Sequence, residues 1–158
     1  MISLPIDDAL FNYRVAGVAI LNGKVLLHKT PSDNFWSLPG GRAELFEFSK
    51  DTLVREMEEE TGMNVQVGEM LWVSENFFRY NDKKHHEIGF YFKMNIPDLT
   101  SQDDFLGAEG QEELLFKWID VNELTTVPVY PEFLAEELAR NPLETKHFTS
   151  DFRDLDAM

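Results

Sequence analysis

The strongest structural constraint in this sequence is the pattern of residues 49–61, which predicts an amphipathic helix. At 100° per residue, three apolar side chains fall within one arc that would pack on a sheet: Leu53, Val54 and Met57. Three carboxylates share the neighbouring arc: Glu56, Glu59 and Glu60. Gly62 follows directly and is a suitable residue for ending a helix. We therefore expect a helix that buries one face and gathers three negative charges beside it.

Like charges on one helical turn repel one another, and two explanations of this acidic arc remain open. A solvated acidic face is the usual role of a glutamate-rich helix. Alternatively, three carboxylates held together supply oxygen ligands suited to a divalent cation such as Mg²⁺ or Mn²⁺. The helix alone does not decide between the two.

Apolar segments separated by turn residues surround the helix and predict strands. We expect strands in five places: residues 13–21, 25–28, 64–80, 85–94 and 114–121. Asn22-Gly23 predicts a tight hairpin turn between the first two. We expect loops over 30–44 and 95–113, a short helix over 131–140 and a loosely held tail from Asn141. This order indicates a mixed sheet covered by helices.

Length and composition narrow the class of protein. At 158 residues and 43% hydrophobic composition, the chain is expected to form one well-cored domain. No apolar run approaches the ~20 residues of a membrane span, and the N-terminus shows no secretory signal pattern. The lack of cysteine excludes a thiolate nucleophile and favours a cytoplasmic location. A net charge of −15 argues against a duplex nucleic-acid partner.

The acidic helix is also the end of a longer pattern. Gly41 is followed by five residues, then Glu47, then seven residues and the run from Arg55 to Met63. This arrangement, G-x5-E-x7-R-E-U-x-E-E-x-G-U with U apolar, resembles the signature box of the Nudix hydrolase family at every defined position. The resemblance implies a single Nudix domain over residues 1–158, of the α/β (α+β) class. Its fold would be an α/β/α sandwich with a mixed sheet and a loop–helix–loop.

The resemblance implies hydrolysis of a nucleoside diphosphate linked to another group, X, by attack of water at phosphorus. The ligands of Mg²⁺ or Mn²⁺ would be the backbone carbonyl of Gly40 and three carboxylates, those of Glu56, Glu59 and Glu60. Bound cations would neutralise the pyrophosphate and lower the pKa of attached water. Arg55 would act in catalysis by orienting carboxylates through bidentate hydrogen bonds.

The remaining residues of the box have expected structural roles. Glu47 either supports the water shell of the metal or holds the loop before the helix, and both roles remain open. Gly41 would provide backbone freedom in that loop, and Gly62 would terminate the helix.

The box does not contain an assigned general base. In the family, a glutamate from a later loop often has this role, and the candidates here are Glu109, Glu112 and Glu113. Glu112 is the preferred candidate. A merely solvated acidic loop is the alternative for each of them.

Candidate substrate-binding residues lie outside the strict spacing of the box: Arg42, Trp36, Arg14 and Phe77. The two arginines would meet phosphate or ribose hydroxyls, and the two aromatic rings would stack on a base. Aromatic runs belong more often to a core or an interface, which is the alternative for these rings.

Two further features depart from the commoner family pattern or invite another explanation. Phe46 and Phe48 stand where many relatives have a glycine and a small polar residue, and they would narrow the pocket or shift the start of the helix. In the run from His85 to Glu87, a hydrogen-bonded structural histidine is favoured over a metal or acid–base role.

Two classes of function are compatible with these observations. The first is a metal-dependent pyrophosphohydrolase acting on a small nucleotide, such as a nucleotide sugar, an ADP-ribose-like compound or a nucleoside triphosphate. The second is a non-catalytic Nudix-fold module that senses such a nucleotide. The complete box favours the enzyme, because a sensor does not need the full metal cage. The aromatic-rich strands leave room for a homodimer, and the sequence does not name X.

Overall fold

The fold is built on two six-stranded sheets within the residues that the computed structural model describes, 1–140 and 144–151. A few helices accompany them. This combination of mixed sheets and helices confirms the α+β fold class expected from the sequence. The division of the strands between two sheets is not visible in the pattern of apolar segments.

The first sheet contains β1 (Ser3–Ile6), β2 (Ala9–Val18), β6 (Gly40–Arg42), β7 (Gln66–Tyr80), β8 (Lys83–Asn95) and β12 (Lys146–Asp151). Its order is β1-β2-β8-β7-β12, and β6 continues the edge of β2 beyond β1. The pairs β2–β8 and β7–β12 are parallel, whereas β7 and β8 form a long antiparallel pair. This sheet is therefore mixed, as predicted.

The second sheet contains β3 (Ile20–Leu21), β4 (Lys24–Lys29), β5 (Trp36–Ser37), β9 (Phe105–Glu109), β10 (Glu112–Asp120) and β11 (Val129–Tyr130). Its order is β11-β5-β4-β10-β9, with β3 paired to β4. Asn22 and Gly23 join β3 to β4 with φ angles of 52° and 74°. Two positive φ values are typical of the tight hairpin turn that the sequence predicts.

The helices are α1 (Ser49–Thr61), a 3₁₀ helix (Val121–Thr126) and α2 (Leu134–Leu138). The predicted bounds of α1 are confirmed. Gly62 ends it in the left-handed region, with φ 73°, and its N–H donates to the carbonyl of Glu58 at 2.9 Å. Among the described residues, no helix is long and apolar enough to cross a membrane.

Two buried clusters pack on opposite faces of the first sheet. Val15 belongs to one cluster and Ala16 to the other, and consecutive residues of a strand point to opposite faces. Leu53 and Met57, both fully buried, anchor α1 in the first cluster. Leu134 of α2 lies in the second. The apolar arc of α1 is thus buried against the first sheet, and its acidic arc lies beside the edge of that sheet.

The prediction of a long loop over residues 95–113 is partly wrong, because β9 lies within it. Phe105 stacks on Phe116 of β10, with ring centroids 4.8 Å apart and 5° between the planes. Gly107 allows β9 to approach α1, since an added Cβ would collide with the backbone oxygen of Glu60. This short strand, FLGAE, has no alternation of apolar and polar residues, and only its pairing with β10 reveals it.

Two other loop predictions also need correction. The predicted loop over residues 30–44 contains the short strands β5 and β6. The tail from Asn141 is not loosely held where it is described, because β12 pairs in parallel with β7. Residues 141–143 and 152–158 lie outside the described residues. In both places the partner strand, rather than a local pattern, makes the strand.

Candidate active site

A cavity of about 400 Å³ is lined by strands of both sheets and by Glu56 of α1. Two carboxylates from the β9–β10 hairpin, Glu109 and Glu112, contribute to its wall. Arg14 of β2 and Arg42 of β6 also line it and are neighbours in the strand register. The cavity therefore combines an acidic side with two guanidinium groups.

α1 directs two of its three predicted metal ligands into the protein and one outward. Glu56 and Glu60 are each 5% exposed, whereas the side chain of Glu59 is 58% exposed. Burial, together with the charge of Glu56, raises the pKa of Glu60 to about 9, and the two carboxyl groups share a hydrogen bond. The structure thus buries Glu56 and Glu60 together, whereas Glu59 lies at the surface and shares Nη1 of Arg55 with Glu56.

Arg55 connects the carboxylates around α1. Its Nε and Nη2 donate to the two oxygens of Glu47 at 2.8 and 3.1 Å, a bidentate arrangement. Its Nη1 donates to Glu56 at 2.8 Å and to Glu59 at 3.2 Å. Nη2 also donates to the carbonyl of Arg42 at 3.0 Å. One side chain therefore ties β6 and the loop after it to the acidic face of the helix.

Glu47 holds the loop that precedes α1. Its Oε1 accepts hydrogen bonds from the hydroxyl of Thr52 at 2.7 Å and from the backbone N–H of Glu44 at 3.1 Å. The hydrogen bonds from Arg55, and to a lesser degree from Thr52 and Glu44, lower the pKa of Glu47 to about 2. Of the two roles left open by the sequence, these contacts support the loop-holding one.

The buried end of this acidic cluster has the donor chemistry that a hard cation needs. Within the described residues, no group of three or more histidine, aspartate and glutamate side chains is already arranged to hold a metal ion. Glu60 Oε2 and His28 Nδ1 are nevertheless both buried without a hydrogen-bond partner there, 3.9 Å from each other. Glu56 and Glu109 add negative charge beside Glu60. Buried carboxylates with unmatched charge fit a divalent cation.

Gly41, the first residue of the box, and Gly40, which precedes it, each allow a different neighbour to approach closely. A Cβ added at Gly41 would collide with the carboxylate of Glu56. At Gly40 it would collide with the backbone of Val15 and Ala16 in β2. Gly40 also lines the cavity beside Glu56, which is the location its predicted role as a carbonyl ligand requires.

The two glycines can be separated by substitution. We expect Gly41→Ala to displace the carboxylate of Glu56 and lower kcat at least about tenfold with a small loss of stability, because a side chain can move. Gly40→Ala should instead lower the free energy of unfolding by about 1–3 kcal/mol, because backbone must move. Urea denaturation and steady-state kinetics on both variants test this. Equal destabilisation by the two substitutions would contradict it.

The candidate general bases differ in their placement. Glu109 and Glu112 face each other across the β9–β10 pair and line the cavity, whereas Glu113 does not line it. The charge of Glu109 acts on Glu60, and that of Glu112 acts on Tyr80. Glu109 is thus nearer to the buried carboxylates. The assignment of Glu112 as the general base stays a prediction.

The predicted substrate-binding residues divide into two groups. Arg14 and Arg42 line the cavity, but Trp36 and Phe77 do not. Lys29 lies 5.2 Å from the ring centroid of Trp36, and the ring of Phe77 packs edge-on against His86 at 4.6 Å. For both aromatic residues, an immediate neighbour lines the cavity instead, namely Phe35 and Phe78. Neighbouring residues along a strand point in opposite directions, and Phe77 therefore faces away from the cavity that Phe78 lines.

His85 has its hydrogen-bonding capacity used within the protein. Its Nδ1 lies 2.8 Å from the amide nitrogen of Asn12, whose Oδ1 accepts from the hydroxyl of Ser3 at 2.8 Å. Burial lowers the pKa of His85, while a hydrogen bond with the backbone of Tyr80 raises it. A neutral ring that accepts from Asn12 at Nδ1 fits these contacts. This geometry supports the structural role favoured from the sequence.

Phe46 and Phe48 do not narrow the cavity. Both side chains are exposed, at 104% and 82%, and neither lines the cavity. Phe46 has a φ of 64°, in the left-handed region that a glycine occupies without strain. The chain thus keeps a bulky residue in an unfavourable backbone conformation at the surface.

Replacing Phe46 by glycine should not destabilise the protein. The left-handed conformation costs a non-glycine residue about 1–2 kcal/mol, and glycine adds about 0.5–1 kcal/mol of backbone entropy to be lost on folding. We expect the free energy of unfolding to be unchanged or raised by up to about 1 kcal/mol in urea titrations. Leu45→Gly, at the neighbouring exposed position without a positive φ, is the matched control and should be destabilising. A clear loss of stability in Phe46→Gly would show that its side chain has contacts.

Several cavity residues were not singled out from the sequence, among them Asn12, His28, Phe35 and Asn76. They come from different strands and a loop, and no local pattern groups them.

Curated proteins similar in sequence to this chain include two Nudix relatives. The chain is 30% identical over 108 residues to an uncharacterised Nudix hydrolase of Bacillus subtilis, covering 68% of this chain and 65% of that protein. It is 33% identical over 100 residues to an ADP-ribose pyrophosphatase of Methanocaldococcus jannaschii, covering 60% of this chain and 58% of that protein. The matched region thus spans slightly less than two thirds of these relatives' own length.

The fold comparison gives the same result. The crystal structure of a MutT Nudix hydrolase from Burkholderia pseudomallei matches with a TM-score of 0.62 at 20% identity, covering 82% of this chain and 98% of that one. The family model described as the NUDIX domain matches residues 12–139, which include the box and most of the cavity lining. The chain therefore belongs to the Nudix hydrolase family.

Proposed function

We propose that this Nudix hydrolase is a divalent-metal-dependent pyrophosphohydrolase that cleaves a nucleoside diphosphate linked to a group X. The observation that carries the proposal is the buried pair Glu56 and Glu60 beside a cavity that also holds Arg14 and Arg42. A pyrophosphate brings negative charge into this acidic site, so cations and guanidinium groups must offset it.

The carboxylates at the site have proposed tasks. Glu56 and Glu60, with Glu59 and the carbonyl of Gly40, would hold Mg²⁺ or Mn²⁺, which supplies charge neutralisation and a more acidic water when bound. Glu112 accepts a proton from the attacking water.

The positively charged residues bind phosphate groups and orient a carboxylate. Arg14 and Arg42 bind phosphate oxygens, since guanidinium groups match phosphate in charge and geometry. Arg55 keeps the carboxylate of Glu56 in position through its hydrogen bond. X remains open among nucleotide sugars, ADP-ribose-like compounds and nucleoside triphosphates.

The test is phosphate-product release from a panel of these compounds, with Mg²⁺, with Mn²⁺ and with a chelator. We expect cleavage of one class that requires a cation. Glu56→Gln should abolish most turnover, while Glu58→Gln is the matched control because Glu58 is exposed on the same helix. Binding of nucleotides without cleavage of any compound would contradict the proposal and favour a sensor.

A further inference from the structure

A row of polar side chains crosses the first sheet at the floor of the cavity. The strand register places Asn12 of β2 beside Glu87 of β8, and Glu87 beside Asn76 of β7. Residues paired in this way point to the same face, about 5 Å apart. All three line the cavity. The floor therefore presents an amide, a carboxyl group and a second amide in line.

Two members of this row are open to a ligand as hydrogen-bond acceptors. Asn12 has both polar atoms engaged within the protein. Asn76 differs, because its Oδ1 is buried with no hydrogen-bond partner among the described residues. Burial raises the pKa of Glu87 and outweighs the opposing charges of Arg14 and Arg42. A carboxyl oxygen of Glu87 accepts hydrogen bonds in either protonation state. A ligand that donates two neighbouring hydrogen bonds therefore satisfies both Asn76 and Glu87.

Aromatic rings stand beside the row. Phe78 stacks on His85 with ring centroids 4.9 Å apart and 4° between the planes. A second group is formed by Phe35, which lies 5.9 Å from Tyr80 and 4.8 Å from Tyr130 between ring centroids. All five rings line the cavity. Flat apolar walls with a polar floor suit a planar heterocycle that presents polar atoms along one edge.

The spacing between this row and Arg14 leaves room for a sugar. Along β2, Arg14 follows Asn12 by two positions, so both side chains point to the same face, about 7 Å apart along the strand. Glu56 of α1 lines the same cavity. A base on the floor would thus place its phosphates near Arg14 and the carboxylates of α1.

We infer that the floor row binds the base of a guanine nucleotide, so that the substrate class is a guanosine diphosphate linked to X. Guanine presents two neighbouring N–H donors, at N1 and N2, to a carboxyl oxygen of Glu87 and Oδ1 of Asn76. Adenine presents one donor beside an acceptor nitrogen, and uracil one donor between two carbonyls. With either base, an acceptor atom of the base would face an acceptor atom of the floor, and a buried group would be left without a hydrogen bond. The inference rests on the proposed function and narrows it.

Calorimetric binding of nucleoside monophosphates tests the inference without requiring turnover. We expect wild-type protein to bind GMP at least about tenfold more tightly than IMP, because IMP lacks only the N2 amino group. AMP and UMP should bind more weakly still. Asn76→Ala should remove most of the difference between GMP and IMP. Glu87→Gln should weaken the binding of GMP at least about tenfold. Asn95→Ala is the matched control, because Asn95 is exposed on β8 and lies outside the cavity lining.

The outcomes separate this inference from the proposed function. Equal affinity for GMP and IMP, or tighter binding of AMP or UMP, overturns the inference even if the variants fail to fold, because it is measured on wild type. Cation-dependent hydrolysis with no preference for guanosine compounds also overturns it and leaves the proposed function standing. A GMP preference without hydrolysis of any compound supports the base site and removes the proposed function.

Discussion

Replacing Glu60 by glutamine should lower kcat at least about 100-fold while stabilising the metal-free protein. Loss of a buried carboxylate ligand removes several kcal/mol of charge stabilisation, and each 1.36 kcal/mol is a factor of ten in rate. In the metal-free protein the same carboxylate is buried, lies beside Glu56 and has its pKa raised to about 9. Glutamine keeps the hydrogen bond to Glu56 and removes the cost of taking up a proton when the carboxyl group is buried at neutral pH. A gain of about 1 kcal/mol corresponds to a rise of roughly 2–4 °C in Tm.

The pH dependence of stability gives an independent readout of the same residue. Because the folded-state pKa of Glu60 is above its ordinary value of 4.5, folding favours the protonated form. Its stabilising contribution is complete below pH 4.5 and is lost as pH rises through about 9. The Tm measured in the presence of a chelator should therefore fall more steeply from pH 5 to pH 9 for wild type than for Glu60→Gln. Parallel curves, or unchanged kcat, would contradict the assignment, and Glu58→Gln serves as the control for both measurements.

Arg55→Lys should cause the second largest effect, on stability and activity together. Lysine cannot reproduce the bidentate bond to Glu47 while also reaching Glu56 and the carbonyl of Arg42. We expect the free energy of unfolding to fall by about 1–3 kcal/mol, the range for hydrogen bonds to charged groups. Misplacement of Glu56 should lower kcat by about 10- to 100-fold. Urea denaturation and steady-state kinetics measure the two effects.

A control arginine and a double-mutant cycle make this prediction specific. Arg140→Lys changes an arginine that is 48% exposed and should cost less than about 1 kcal/mol. Glu47→Gln and Arg55→Lys should be non-additive by about 1–3 kcal/mol, because the two residues share one interaction. The pKa of Glu47 is lowered to about 2, so its contribution is present above pH 4.5 and is lost as pH falls towards 2. Additive effects in the cycle would contradict the role given to this pair.

Local features of the chain were predictable because their causes are local. The bounds of α1 follow from its periodicity and from Gly62, and the β3–β4 turn follows from Asn22-Gly23. The strand β9 was missed, since its five residues show no alternating pattern within a polar segment and its stability comes from pairing with β10 and from the stacking of Phe105 on Phe116.

The wall of the cavity shows a different kind of limit. Trp36 and Phe77 were chosen for their ring type, but the rings that line the cavity belong to Phe35 and Phe78. A shift of one residue along an extended chain reverses the direction of a side chain. Composition identifies an aromatic cluster, but only the register of the strands identifies its inward-facing members.

The sequence by itself determined the family, the helix and the chemical type of its acidic side chains. These features depend on the spacing and periodicity of residues that are close together along the chain. Tertiary structure decided what each carboxylate does. Glu56 and Glu60 are buried together, Glu59 is exposed and bonded to Arg55, and Glu47 is held by the same guanidinium. All are glutamates with the same intrinsic chemistry. Burial and neighbouring charge distinguish them, and both depend on how α1 packs against the first sheet.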